Sequence, residues 1–437
     1  MKARTLVAIC LAAVVPLAAT GYGVSADDLA PGEVINKDNW QKVEGLLPDP
    51  VLEWVKEGKF PLTIGKINYN PADALPDYAL KARETNDGLY DINEKNELVN
   101  KKTGEPAREL VGHPFPTIDP ADPKAATKVM YNGMLSRLIA GNIRMRGMVA
   151  HYLDSSSQER ELEALFKVAS LVGYPGAKDI SNPNDYEQLN IILVTRPFDL
   201  AGTAVMMLRY FGSKPDSNFA YAPAIRRVRR MSPANRSDSL FGSDYSMDDS
   251  GYTSYDGKIP AFDFKLLAKT EILTLYLGSD PYPVNENEDG EWCAETKSTL
   301  VTWGYNQKDR DGLLSWAPLN VIAVKRPVYQ IECTSKDPFY NYGKQVVWID
   351  ADMYVGCYKQ ILNRAGEQWK MLFNVWTMGE SADKKFRTPV FPCGVMVDRR
   401  AEHATVFEFL NPGCPWCLNT KDDLNDYSLG GFQKFCK

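Results

Sequence analysis

The chain has 437 residues, 44% of them hydrophobic, with 50 Lys and Arg set against 56 Asp and Glu. The formal net charge of −6 argues against general nucleic-acid binding, which favours a basic surface. The length allows one large domain with an appended N-terminal region, or two domains, around a sizeable core. Residues 1–26 read as a secretory signal peptide. Lys2 and Arg4 precede an apolar run from Leu6 to Ala19, and Val24-Ser25-Ala26 gives a small-x-small cleavage site after Ala26. An uncleaved anchor is the weaker reading, because the run is shorter than the ~20 residues that span a bilayer. Ile9 before Cys10 is too bulky for a lipoprotein cleavage site. Cleavage takes the net charge from −6 to −8, and the mature chain is expected to be exported and soluble.

Residues 27–125 read as a helical and extended wrapping region. Asp38 can cap a short helix over 39–43, Asp49-Pro50 can open another, and Gly58 can stop it. From Tyr69 to Pro123 the chain is polar and proline-rich, and an extended path is expected. Val129, Met130, Met134, Leu135 and Leu138 predict a helix over 128–139.

Residues 126–392 then switch to strand patterning. Segments 189–195, 202–211, 224–230, 264–276, 320–333, 344–349, 357–363 and 368–377 are bounded by turn residues, with Asn363-Arg364-Ala365-Gly366 as a hairpin turn. Segment 159–171 contains helix formers, but its position after the Asp154–Ser157 turn favours strands on both sides. A loop insertion is expected over 279–316. Residues 393–437 form a cysteine-rich strand and tail, with further strands at 395–397 and 404–410. Strand after strand without alternating helices implies an antiparallel sheet.

Leaving out Cys10, seven of the eight cysteines remain, an odd number for an oxidising compartment. Cys393, Cys414, Cys417 and Cys436 suit two structural disulfides. Cys414-Pro415-Trp416-Cys417 also suits a redox pair, and the four thiols suit a zinc site. Too little chain follows Cys417 to complete a thioredoxin-like fold. Cys333 and Cys357, on strands expected to be neighbours, are a further candidate bridge, which leaves Cys293 as the odd thiol.

Arg226, Arg227, Arg229 and Arg230 form a cationic strand. Alternation puts Arg226 and Arg230 on one face and Arg227 and Arg229 on the other. An internal salt-bridge ladder with Asp244, Asp248 and Asp249 is one reading, and docking to an acidic partner or lipid headgroups is the other. Asp248 and Asp249 otherwise read as a solvated turn. Met206, Leu208 and Tyr210 share one strand face, as do Trp369, Met371 and Phe373. Each set is either ordinary core or the lining of an apolar ligand cavity. His113, His151 and His403 lack metal-ligand spacing, and no catalytic or cofactor-binding motif is present.

Six stretches carry a family resemblance. They are LPDPVLEWVKEGKFPL at 47–62, GHPFPTIDPADPKAATKVMYN at 112–132, RPFDLAGTAVMMLRY at 196–210, YAPAIRRVRRMS at 221–232, FGSDYSMDD at 241–249 and FDFKLLAKTEI at 262–272. In this ordered series the chain resembles a family of exported Gram-negative proteins known as a domain of unknown function. That family is related to Lol-type carriers that sort lipoproteins to the outer membrane. The resemblance implies a mainly β fold, a curved, incomplete antiparallel β-barrel with N-terminal helices covering its mouth. It also implies an apolar cavity and an accessory role beside a membrane exporter. The tail from Cys393 to Cys436 is not expected to share it.

The expected function is therefore a non-enzymatic periplasmic carrier or chaperone for a lipid or other hydrophobic ligand, needing no cofactor or metal. It would take its ligand from an inner-membrane exporter and pass it toward an outer-membrane partner. The alternatives are a redox protein or other exported enzyme using the CPWC segment, and a structural envelope protein with a filled core.

Overall fold

A computed structural model describes residues 29–308 and 312–437. The expected signal peptide, with Cys10 inside it, lies outside the described residues. The chain opens with β1 (Val34–Ile35), a 3-10 turn at Trp40–Val43, α1 (Asp49–Lys56) and β2 (Leu62–Ile64). Asp49 and Pro50 start α1 as expected, and Gly58 leaves it at a φ of 74°.

The stretch 69–123 departs from its extended reading. It holds α2 (Asp77–Asn86) and a hairpin of β3 (Tyr90–Ile92) and β4 (Leu98–Asn100). Only Ala79 and Asn86 of α2 are buried, so the helix has no apolar stripe for a periodicity reading to find. Its Ala, Leu, Lys, Arg and Glu residues favour the helix by propensity instead. In α3 (Ala125–Leu138) nearly every residue is buried, including Asn132, Ser136 and Arg137. A helix enclosed on all sides belongs to the interior.

The strands follow as β5 (Ile143–Asp154), β6 (Gln158–Ser170), β7 (Tyr186–Arg196), β8 (Ala204–Tyr210), β9 (Ser217–Ala222), β10 (Arg227–Met231) and β11 (Phe262–Tyr276). The insertion contributes β12 (Tyr282–Pro283), β13 (Asn285–Glu286) and β14 (Trp292–Ala294). Next come β15 (Ile322–Ser335), β16 (Lys344–Asp350), β17 (Gly356–Leu362), β18 (Gln368–Glu380), β19 (Arg387–Asp398), β20 (His403–Glu408) and β21 (Trp416–Leu418), before α4 (Leu429–Phe435). The boundary expected at 392/393 thus falls inside β19.

The long strands pair antiparallel in the order β10, β9, β8, β7, β6, β5, β20, β19, β18, β17, β16, β15, β11. Together with the short strands they make a 19-stranded sheet, large, curved and not closed into a barrel. It is mixed rather than wholly antiparallel, because β11 and β12 each meet β18 in parallel and β2 joins β15 in parallel.

Each face of the sheet has its own cover. The inner face packs Tyr152, Ile331, Leu372, Met396 and Phe407 against α3 and the crossing segment 239–261. On the outer face, α1 and the 40–43 turn cover β15–β20, with Phe60 edge-on to Phe373 at 5.3 Å. A second outer layer, α4 and Tyr427, covers Leu189, Met206 and Leu208. The N-terminal helices therefore divide. α1 lies on the outer face, while α2 caps the end of α3, where the Tyr78 hydroxyl donates to the Ile139 carbonyl. The insertion is tied down through Val301, Trp303 and Trp316 in the outer core.

Close packing around α3 makes a signed prediction. A Cβ at Gly133 would overlap Thr253 Cγ2 and stand 2.7 Å from the Tyr354 carbonyl oxygen. Helix propensity alone favours Gly133→Ala by about 1 kcal/mol, whereas overpacking costs about 1–3 kcal/mol. Chemical denaturation is expected to show net destabilisation. A stabilised variant would mean that α3 is not wedged against the 250–256 turn.

Candidate functional site

The inner face contains an unusual density of buried charge. Arg209 on β8 donates to Asp216 at 2.9 Å and to Asp256 Oδ1 at 3.2 Å. Arg137 on α3 reaches the same Asp256 oxygen at 3.0 Å. Arg236 binds Asp248 through Nε at 2.6 Å and lies 3.4 Å from Asp216. Lys359 on β17 meets Asp249 at 2.6 Å, and both side chains are fully enclosed. Tyr340 and Tyr342 donate to Asp248 and Asp249 at 2.9 and 2.7 Å. Asp248 and Asp249 are therefore not the solvated turn that their neighbours in sequence suggest; each is 1% exposed.

Burial by itself raises the Asp216, Asp249 and Asp256 carboxyls, but the surrounding cations outweigh it and hold all three below the ordinary carboxylate range. Arg209, Arg236 and Lys258 do so for Asp216, Lys359 and Lys370 for Asp249, and Arg137, Arg209 and Arg236 for Asp256. Removing one member of such a pair costs about 3–5 kcal/mol. The ion pairs thus pin residues 248–258 across the sheet.

Beside this cluster the interior becomes apolar. A cavity of about 60 Å³ lies between the crossing segment and two parts of the sheet. Met145, Met148, Phe166 and Ile192 come from β5–β7, while Phe391, Phe407 and Phe409 come from the β19–β20 side. Leu240, Tyr245 and Tyr252 form the crossing wall, and Arg137, Asp249 and Asn374 the polar end. Phe166, Ile192 and Phe409 are only half-buried, which brings the cavity to the surface there. The space exceeds the ~10–15 Å³ that one water needs and is smaller than the ~300 Å³ lower end of ligand pockets. A longer ligand requires movement of the wall.

The first half of that wall is held by its own hydrogen bonds: Tyr152, Arg160 and Lys370 donate to the Phe241, Gly242 and Asp244 carbonyls. The Asp244 amide donates to Thr405 at 3.0 Å, the Thr405 hydroxyl donates to the Asp244 carboxylate at 2.7 Å, and His403 Nδ1 pairs with the same carboxylate oxygen at 2.7 Å. Glu159 stands 3.5 Å from His403 Nε2. This clasp joins the crossing segment to β20, next to cavity residue Tyr245. The Asp244 hydrogen bond raises the His403 pKa against an opposing desolvation effect. His113, by contrast, is pushed down to about 3 by burial and pairs with Ser136.

The residues singled out by sequence fall elsewhere. Met206, Leu208 and Tyr210 face α4, while Met371 and Phe373 face the α1 layer. None of them lines the cavity, and Trp369 is half-buried beside Tyr342. Pleat alternation grouped Met206, Leu208 and Tyr210, and Met371 with Phe373, but Trp369 lies at an irregularity of the β17–β18 pair and packs with the inner core instead; both faces of the sheet are buried, and alternation does not say which face is inner. A signal for the cavity lay in Phe407 and Phe409, two aromatics on one face of the strand segment leading into the tail.

In the arginine run, Arg226 occupies a left-handed turn at φ 50°, so it shares no strand face with Arg230, and β10 begins at Arg227. Arg227, Arg229 and Arg230 are exposed. Among the described residues no carboxylate pairs with any of the four. The ladder with Asp244, Asp248 and Asp249 does not form, because those acids face His403, Arg236 and Lys359.

Three cysteine expectations are corrected. Cys293 is not the odd thiol: it is bonded to Cys417 at 2.04 Å, directly opposite it in the β14–β21 pair. Cys333, Cys357, Cys393, Cys414 and Cys436 are free. Cys333 and Cys357 lie on β15 and β17 with β16 between them and belong to cores on opposite faces, beyond the Cα reach of a disulfide. With Cys417 committed to Cys293, the CPWC pair does not form, and burial raises the remaining Cys414 thiol rather than activating it. The two disulfides expected among Cys393, Cys414, Cys417 and Cys436 do not form, since Cys417 is bonded to Cys293 and the other three are free. The metal-like group found among the described residues is Glu291, Cys293 and Cys417, whose sulfurs are already bonded to each other. No described helix is long and apolar enough to cross a membrane.

A family model described as "Protein of unknown function (DUF1329)" matches residues 34–430. The chain belongs to this family. The match takes in Cys393, Cys414 and Cys417, so the likeness reaches further into the tail than the sequence reading allowed. Solved structures similar to this chain come from the same family and from the LolA superfamily. A proposed outer-membrane lipoprotein-sorting protein domain from Vibrio parahaemolyticus is 16% identical with a TM-score of 0.46, covering 71% of this chain and 100% of that one. A DUF1329 family protein from Desulfovibrio piger is 15% identical with a TM-score of 0.46, covering 70% and 98%. A LolA superfamily protein from Nitrosomonas europaea is 11% identical with a TM-score of 0.39, covering 69% and 97%. No curated protein matches.

The clasp predicts a pH dependence with a definite sign. A His pKa raised in the folded state contributes stability that is complete below about 6.5, the ordinary value, and is lost as pH rises through the folded pKa. Between about pH 6 and pH 9 the wild type is expected to lose about 1 kcal/mol relative to His403→Gln. Amide exchange in residues 240–246 should accelerate beyond its intrinsic rise. A constant stability difference across that range would rule the clasp out.

Proposed function

We propose that this DUF1329 protein is a non-enzymatic periplasmic carrier whose ligand places an acyl chain or similar apolar group in the cavity framed by Phe166, Ile192, Phe407 and Phe409. The observation that carries the reading is that cavity, an almost wholly carbon-lined space reaching the surface beside a wall, formed by the crossing segment, that the clasp holds. Each methylene taken from water contributes about 0.8 kcal/mol, offset by the cost of ordering the ligand and shifting the wall. The ion pairs at 248–258 keep most of the crossing segment in place, so movement concentrates at Leu240–Tyr245. Docking to an inner-membrane exporter and delivery toward an outer-membrane partner extend this reading. Their support is the resemblance to sorting carriers.

A second reading, a structural envelope protein with a filled interior, draws on the small volume of the cavity. Titration with a fluorescent acyl probe separates the two. Ile192→Trp should fill the mouth and weaken probe binding at least about tenfold, or 1.4 kcal/mol, with little change in Tm. Leu208→Trp on the outer face tests the location. Wild-type protein that binds no probe and carries no lipid after mild purification supports the filled interior. Unchanged binding by Ile192→Trp moves the ligand away from this cavity.

A further inference from the structure

The pairing register links the cavity to the arginine edge. Phe166 on β6 stands opposite Ile192 on β7. Ile192 stands opposite Val205 on β8, Val205 opposite Ala220 on β9, and Ala220 opposite Arg229 on β10. Directly paired residues project to the same face of a sheet. Ile192 lines the cavity on the inner face, so Arg229 projects to that face too. Arg227, two residues before it, does the same opposite Ala222. Arg230 and Val228 point the other way, where Val228 packs with the α4 core and Arg230 reaches Ser217 at 3.5 Å.

From Ile192 to Arg229 is three strand spacings, about 14 Å. The intervening side chains, Val205 and Ala220, are small and apolar, whereas the outer-face residues of β9 are the bulky Phe219 and Tyr221. The inner row is therefore a run of small apolar side chains between the cavity mouth and two cations, with Val205 8% exposed and Ala220 half-buried. Those cations lie about 7 Å apart along one strand, are exposed, and have no carboxylate partner among the described residues. Two neighbouring guanidinium groups repel each other and suit an anion with several oxygens. The buried ion cluster is no alternative source of charge for them, because its acids are already committed to Arg209, Arg236, Arg137 and Lys359.

We infer that the ligand is an anionic amphiphile, with its apolar chain in the cavity, its stem along Val205 and Ala220, and its phosphate or carboxylate on Arg227 and Arg229. This rests on the carrier reading and adds the chemical class of the cargo. Binding of dodecyl phosphate, dodecanoate, dodecanol and inorganic phosphate is compared by calorimetry. Wild-type protein should prefer either anionic amphiphile over dodecanol by at least about tenfold, with the preference shrinking as salt rises. Inorganic phosphate alone should bind far more weakly. The Arg227→Glu/Arg229→Glu variant should lose the preference yet keep dodecanol affinity, which also reports that it is folded. Arg230→Glu, one such charge reversal on the opposite face, should retain it. Equal wild-type affinity for dodecanol and dodecyl phosphate overturns the inference while leaving the carrier reading intact. Retention of the preference by the double variant also overturns it. Failure of all three amphiphiles to bind overturns both.

Discussion

A charge buried in a protein interior must find a partner of opposite sign, because an unpaired one is far too costly. This constraint shapes the inner face. Arg137, Arg209 and Lys359 project from α3, β8 and β17, Arg236 precedes the crossing segment and Lys258 lies on it, and their counterions are Asp216, Asp248, Asp249 and Asp256. Three of those acids sit on the segment that crosses the sheet. The ion pairs fix where that segment runs, and its path fixes which part of the interior stays free of charge. The cavity is the remainder, bounded by the last ionic residues at one end and by half-buried Phe166, Ile192 and Phe409 at the other.

The sheet was largely legible in the sequence, and so was α3, because turn residues and apolar spacing mark both. The strand at Gln158–Ser170 formed despite its helix-favouring Glu and Leu residues, since pairing with β5 and β7 overrides local propensity. α2 was missed for the opposite reason: it is set by propensity and carries no stripe. The site was less legible. Alternation found Met206, Leu208 and Tyr210 as a unit, but a sheet covered on both faces gives each face the same apolar signature. Asp248 and Asp249 look like a polar bend until Lys359 and Arg236, more than a hundred and a dozen residues away respectively, are brought to them. Cysteine pairing was equally non-local. Cys417 meets Cys293 across a sequence separation of 124, a contact that spacing within the tail cannot reveal.

The local features form a connected arrangement. The disulfide joins the insertion to the tail at β14–β21, beside the Arg144–Glu291 ion pair. The clasp at His403 ties the softer half of the crossing segment to β20, while the ion cluster holds the harder half. A cargo that displaces Leu240 and Tyr245 therefore works against the Asp244–Thr405–His403 contacts and against the hydrogen bonds that Tyr152, Arg160 and Lys370 donate to the Phe241, Gly242 and Asp244 carbonyls, rather than against the buried arginines. The exposed arginines at the β10 edge also guard a free strand edge against pairing with another chain, a role compatible with the proposed contact to a ligand headgroup.

The central claim is that cargo enters from the inner face at the end left free of charge. Its most direct test is a crystal structure of the protein grown with a terminally brominated acyl chain, with the bromine located by anomalous scattering. The account predicts a bromine peak among Phe166, Ile192, Phe407 and Phe409, with residues 240–245 displaced. A peak on the outer face among Met206, Leu208 and Phe432, or beside Met371 and Phe373, would contradict it.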